Sequence, residues 1–196
     1  MNYRLSHCGV AFFLVLTMSS CATVETAPQN TENLCALFAE KTDWRDENEA
    51  AFKKWAVPIH VQMAIMWQES HFVADAQPPR GKILGIIPSF RPSSAYGYAQ
   101  ALDGTWQHYQ KNTAQPDAER SDFAQACDFI GWYCDVAHKE LGISKWDVYN
   151  LYLAYHEGNA GYKRKTYLSK PWLLTVAKKV SNQANYYRQQ LENCQN

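Results

Sequence analysis

Val57-Pro-Ile-His-Val-Gln-Met-Ala-Ile-Met-Trp-Gln-Glu-Ser70 reads as an apolar helix with a carboxyl group at its far end. Pro58 sits in the first turn, where its missing N–H leaves no helical hydrogen bond unmade. Val61, Ala64 and Ile65, continued by Phe72, keep the three, four, seven spacing of one buried stripe. Glu69 follows Ile65, Met66 and Trp67 at the C-terminal end of the run. Two effects act on a carboxyl placed there, and both favour its protonated form. Partial burial disfavours the charge, and so does the negative end of the helix dipole. A raised pKa is what a general acid needs to hold a proton near neutral pH. On this helix alone the plainer reading stands ahead, with Glu69 a polar helix-end residue whose head lies in solvent.

Outward from this helix the chain reads as further helices. Residues 33–41 and 46–55 carry apolar side chains at helical spacing. Asp103 can cap a helix running to about Thr113. Ser121-Asp122 starts a long helix that Gly142 can end. Ser144 and Asp147 have capping-box spacing ahead of the run from Trp146 to His156. Pro171 opens a last helix to about Glu192. Between 75 and 95 the pattern is broken by Pro78, Pro79, Gly81, Gly85, Pro88 and Pro92, which predicts a long loop. No segment alternates with period two for long. The fold class is therefore mainly α, with too little strand to place.

The 196 residues fit one domain with terminal extras. Lys plus Arg and Asp plus Glu balance at 19 each, which gives no footprint for nucleic acid. Nor is there a whole-protein field for gripping an anionic polymer. Seven Trp and twelve Tyr supply core packing and, in a minority of cases, stacking surfaces for sugars or bases. The six His are scattered, and His156-Glu157-Gly-Asn-Ala lacks the second His of a zinc-protease helix, so no metal and no cofactor is expected.

The two ends carry their own signals. Arg4 precedes the nine-residue apolar run Val10 to Met18, too short for a membrane span, which needs about 20 residues. It has the proportions of a secretory signal. Met18-Ser-Ser-Cys21 resembles a bacterial lipobox, which makes Cys21 the lipidated first residue of the mature chain; the plainer alternative is an ordinary signal with a chance cysteine. The expected organisation is a signal peptide over 1–20, lipidated Cys21 with a tether to 31, and a folded domain over 32–196. Ala22 after the cysteine points by resemblance to an outer-membrane lipoprotein facing the periplasm, a membrane partner held through lipid alone. After export Cys35, Cys127, Cys134 and Cys194 remain, an even number in an oxidising compartment. Three pairings are open. Cys127 and Cys134 are seven apart on one expected helix, about 10 Å in Cα separation, beyond disulfide reach unless the helix breaks. Buried free thiols are the plain reading for that pair. A Cys35–Cys194 bridge would tie the domain's ends together and is the favoured one.

Two further segments change the weighting of Glu69. Ser94-Ala-Tyr-Gly-Tyr-Ala-Gln100 sets a glycine between aromatics just ahead of a helix, and Tyr155-His-Glu-Gly158 puts polar groups at the end of another apolar run. Each alone is weak. Together, in this order, the three clusters resemble the soluble lytic transglycosylases and their goose-type lysozyme relatives. Glu69-Ser70 resembles that family's Glu-Ser, Gly97-Tyr-Ala-Gln100 its Gly-Leu-Met-Gln, and Ala154-Tyr-His-Glu-Gly158 its Ala-Tyr-Asn-Ala-Gly. The resemblance covers about residues 55 to 165 and is closest to a lipoprotein branch with a lysozyme-like domain.

The resemblance implies a lysozyme-like helical fold with a groove for peptidoglycan glycan strands. Glu69 would protonate the oxygen between N-acetylmuramic acid and N-acetylglucosamine, then accept a proton from the muramic C6 hydroxyl as a 1,6-anhydro ring closes. Gln100 and the backbone around Tyr98 would hold N-acetyl or hydroxyl groups. Tyr155 would lie by Glu69, and Ser70 would support the acid's hydrogen bonding or simply finish the helix. His156-Glu157 replaces the usual Asn-Ala, so Glu157 is a second carboxylate. It serves either a hydrolytic muramidase, which normally needs two, or an ion pair with Arg80, Arg91 or another loop cation, the favoured role. Arg80, Lys82 and Arg91 suit a lid or a site for stem-peptide carboxylates; a solvated insertion is the plainer reading. A sugar-binding lipoprotein without turnover is the remaining alternative, and a partner in an envelope or secretion machine would not show in the sequence.

Overall fold

A computed structural model describes residues 26–83 and 87–194. The expected signal peptide and Cys21 lie outside them. Seven α-helices carry the fold: α1 (Leu34–Glu40), α2 (Trp44–Trp55), α3 (Ile59–Ser70), α4 (Asp103–Thr113), α5 (Phe123–Leu141), α6 (Val148–Lys163) and α7 (Pro171–Asn193). A 3₁₀ turn, Thr166–Ser169, joins the last two. The only strands among the described residues, β1 (Lys82–Ile83) and β2 (Ile87–Pro88), pair antiparallel within the long loop.

The expectation of a single buried stripe on α3 is too modest. Every residue from His60 to Trp67 is buried, because α3 packs against α2, α5 and α7 at once. A helix apolar all round is one enclosed by its neighbours. Gln62 turns its amide Nε2 back onto the Val57 carbonyl at 2.7 Å, so one buried polar group is used to fix the helix start.

Helix ends follow the sequence with small shifts. Asp122 caps α5 by accepting from Gln125 N at 2.9 Å, and Gly142 ends it in the left-handed region at φ 71°. Asp147 caps α6 itself, accepting from Asn150 N at 3.1 Å, so that helix begins at Val148 rather than Trp146. Asp103 is the first residue of α4 and not its cap. The helix expected to stop at His156 continues to Lys163 across a kink at Gly158, with φ 71° and ψ 154°.

Asp128, unremarked in the sequence, knits three elements. Its carboxylate accepts from Trp55 Nε1 at 2.7 Å, Lys54 Nζ at 2.9 Å, Tyr109 Oη at 2.7 Å and Gln115 Nε2 at 2.9 Å. Burial opposes its charge, but these donors outweigh burial and hold its pKa below the usual carboxylate value.

Cys35 and Cys194 form the disulfide, with Cα atoms 5.5 Å apart, and Cys127 and Cys134 are buried free thiols. Residues 28–31, expected as part of a tether, pack against the helices. Pro28 is already buried, Gln29 N donates to Glu40 Oε2 at 3.0 Å, and the Tyr187 hydroxyl donates to the Thr31 carbonyl. Residues 28–31 therefore belong to the domain. A buried proline and satisfied backbone groups are what a solvated linker lacks.

Candidate active site

Glu69 lies in the last turn of α3, which stops at once afterwards. His71 and Phe72 both take left-handed backbone, at φ 50° and 61°. Neither is glycine, so both carry strain that the surroundings must offset, a recurrent feature of functional sites. The offset is visible: Phe72 is fully buried, its ring 5.9 Å from that of Trp44. Driving Phe72 into the core cuts the helix off directly behind Glu69.

The second segment packs beside it. Trp44 stacks on Phe123 with ring centroids 3.8 Å apart, and Tyr98 meets both rings edge-on at 5.7 and 5.6 Å. Tyr98 is fully buried, and its backbone N–H donates to the Arg120 carbonyl at 3.2 Å. The structure thus places the Tyr98 side chain as the anchor of this loop in the core. Gly97, at φ 80°, is required here, because a Cβ would come within 2.1 Å of the Arg120 carbonyl oxygen. Arg120, which the sequence did not single out, ties the loop down by donating to the carbonyls of Ser94 at 3.1 Å and Ala101 at 2.8 Å. It also pairs with Asp103 at 2.9 Å.

Glu69, Gln100, Tyr155 and Glu157 come together around one cavity of about 370 Å³, with Phe129 and Tyr133 of α5 in its wall. A size of a few hundred Å³ with an apolar wall and few polar groups is usual for ligand sites. A larger cavity of about 600 Å³, bordered by carboxylates such as Glu40, Asp75 and Glu119, includes neither Glu69 nor Gln100 nor Tyr155.

Each predicted residue has a definite place. Burial pushes the Glu69 carboxyl up to about 7, against a weaker opposing effect of a hydrogen bond with the Tyr152 side chain. Tyr152 is thus a hydrogen-bond partner of the acid, and Tyr155, expected beside Glu69, borders the same cavity. The two tyrosines are three apart on α6 and share its inward face, so spacing alone did not choose between them. Tyr155 borders the cavity and sends its hydroxyl to the Ala99 carbonyl at 2.6 Å, joining α6 to the second segment. Gln100, at φ 48°, commits its amide Nε2 to the carbonyls of Ala76 and Gly97, at 2.8 and 2.9 Å. Ser70 is buried and its hydroxyl donates to the Met66 carbonyl at 3.3 Å, which makes it the helix-ending residue and not a cavity residue.

Glu157 is held tightly. One carboxylate oxygen accepts from Lys170 Nζ at 2.6 Å and His156 Nδ1 at 3.1 Å, and the other from the Thr166 hydroxyl. Burial works against its charge. The bonds from Lys170, Thr166 and His156, with the Lys170 charge, outweigh burial and bring its pKa down to about 2. The ion pair expected for Glu157 therefore exists, but its cation comes from the start of α7 and not from the long loop. That loop is closed on itself, with Ser89 N donating to the Gly81 carbonyl at 2.7 Å and the Arg91 guanidinium donating to the Pro78 carbonyl. Among the described residues no group of three or more His, Cys, Asp or Glu side chains could hold a metal ion. No helix there is long and apolar enough to cross a membrane.

Against known proteins, the chain matches the family model described as the transglycosylase SLT domain over residues 9–194. No curated protein and no solved structure matches it. A match over almost the whole length, on a helical domain whose enclosed central helix ends in a protonatable Glu69, fixes the kinship: the chain belongs to the transglycosylase SLT domain family.

Proposed function

We propose that this protein is a lytic transglycosylase. It cleaves the β-1,4 bond between N-acetylmuramic acid and N-acetylglucosamine in peptidoglycan and leaves a 1,6-anhydro end. The carrying observation is the state of the two carboxyl groups at the cavity. Burial raises the Glu69 carboxyl to about 7, while the bonds from Lys170, Thr166 and His156 hold Glu157 down at about 2. A group near 7 can both give and take a proton at neutral pH, whereas one near 2 is too weak a base to activate water.

The reaction then needs one carboxyl group used twice. Glu69 gives its proton to the bridging oxygen as the bond from the muramic C1 to that oxygen breaks. The muramic C6 oxygen attacks C1, and its proton passes to the Glu69 carboxylate, which restores the acid. No water is consumed. The Tyr152 hydrogen bond keeps the carboxyl oriented through both transfers.

Mass spectrometry of products from purified sacculi tests this reading. Soluble fragments are expected at the anhydro mass, without the added water of hydrolysis. The Glu157→Gln variant is expected to work more slowly and to release fragments of the same mass. Water-added fragments from the wild type that disappear in Glu157→Gln would transfer the chemistry to a muramidase using both acids.

Export completes the reading: the chain is a lipoprotein held through Cys21 and facing the periplasm. The Cys35–Cys194 bridge supports an oxidising compartment. Metabolic labelling with an alkyne-bearing fatty acid is expected to tag the full chain and to leave Cys21→Ser unlabelled. Label retained by that variant would remove the anchor from the proposal.

A further inference from the structure

We propose that His156 and Trp172 form a saccharide subsite at the end of the Glu69 cavity, taking one N-acetylhexosamine ring of the glycan strand. The inference rests on the peptidoglycan reading above and adds a second place where the strand is gripped.

Glu157 explains how the subsite is built. Its side chain is only 4% exposed, and it bonds Thr166, Lys170 and His156 together. Gly158 breaks α6 directly behind it, which lets the following 3₁₀ turn and the start of α7 fold back against that helix. Glu157 thus clamps the N-terminal end of α7 to the cavity end of α6. Pro171 fixes the first turn of α7, and Trp172 is the next residue. The outcome is an edge-to-face pair, with the rings of His156 and Trp172 5.2 Å apart at 77°.

One member of that pair belongs to the cavity and the other faces water. His156 borders the same cavity as Glu69. Trp172 is 55% exposed, and Leu168, four residues earlier in the chain, is 62% exposed. A single exposed apolar side chain is ordinary, but a grouped set continuous with a ligand cavity marks a recognition surface. The chemistry suits a pyranose. The apolar C–H face of the sugar packs on an indole, while its hydroxyl and N-acetyl edge seeks polar atoms. With Nδ1 committed to Glu157, His156 brings Nε2 to that edge. The carboxylate that looked like a second catalytic group is here a positioning residue.

The test uses the full chain with Glu69→Gln, so that ligand survives, and oligomers of N-acetylglucosamine as probes. Affinities for the hexamer and the dimer are measured by calorimetry, with and without Trp172→Ala. The hexamer is expected to bind about tenfold more weakly to the double variant, the scale of one lost aromatic contact. The dimer is expected to bind unchanged, and Trp172→Phe to retain most of the hexamer affinity. Equal losses for both oligomers would show a structural role, and no loss for either would show that Trp172 touches no sugar; each overturns the subsite while leaving the glycan reading intact. Absence of any oligomer binding to Glu69→Gln itself would overturn the glycan reading and the subsite with it.

Discussion

Glu69→Gln is expected to fold normally and to lose at least about a thousandfold in fragment release from sacculi, the scale of a lost general acid–base group. The amide keeps the size of the side chain and can still accept the Tyr152 hydrogen bond, but it has no proton to give and no strong base to recover one. The wild type should lose activity by about tenfold for each pH unit above 7, because only the protonated carboxyl starts the reaction. Tyr152→Phe removes the hydrogen bond that works against protonation of Glu69, so its alkaline limb should move to higher pH. A pH profile that stays put in this variant would separate Tyr152 from the acid.

Stability should respond to Glu69→Gln in the opposite sense to activity. Glu69 has its pKa raised on folding, from 4.5 to about 7. Below pH 4.5 the group is neutral in folded and unfolded chains alike. Between 4.5 and 7 the unfolded chain sheds the proton first, so the folded state loses stability as pH rises and levels off above 7. At about 1.4 kcal/mol per unit the loss approaches about 3 kcal/mol. Glu69→Gln has no proton to shed and should be the more stable protein at pH 8, with the advantage gone at pH 4. Denaturant unfolding at the two pH values measures both. An equal stability at pH 8 would mean that the carboxyl is solvated and not poised as an acid.

Removal of the Cys35–Cys194 bridge is the second large effect. The bridge spans 159 positions, nearly the whole domain. Closing a loop of that length restricts the unfolded chain by about 5 kcal/mol in the chain-entropy account. For a domain of this size about 2–4 °C accompanies each kcal/mol, so a fall in Tm of about 10–20 °C is expected for Cys35→Ser with Cys194→Ser. The fold should survive, because other bonds join the same ends. Leu34 N donates to Gln190 Oε1 at 2.7 Å and Gln190 Nε2 to the Glu32 carbonyl at 3.1 Å, beside the Tyr187 bond to Thr31. Thermal melts of the double variant and of wild type with reductant should agree. Cys127 and Cys134, both buried, should react with thiol reagents only on unfolding. A Tm unchanged by reduction would show that the ends restrain each other without the bridge.

Much of this protein was legible before any coordinates. Helices were legible because apolar spacing and end signals are local: Asp122 and Gly142 bracket α5, and Pro171 opens α7. Glu69 was legible because a carboxyl behind Ile65, Met66 and Trp67 sits where burial raises its pKa. Its meaning still required the second and third segments, which spacing brought to notice and family likeness made coherent.

What the chain by itself determined is therefore the set of elements, the family and the carboxyl group proposed as the acid. Tertiary structure decided which groups meet that acid, and the reason is physical. Tyr152 and Tyr155 face the same way on one helix, and only the packing of α6 on its neighbours sets which hydroxyl reaches Glu69 and which reaches Ala99. His71 and Phe72 stop α3 in left-handed backbone without the glycine that would have announced it. Glu157 depends on Lys170, thirteen residues away across a kink. No local pattern could pair them, and that pairing makes the second carboxylate a clamp between α6 and the start of α7.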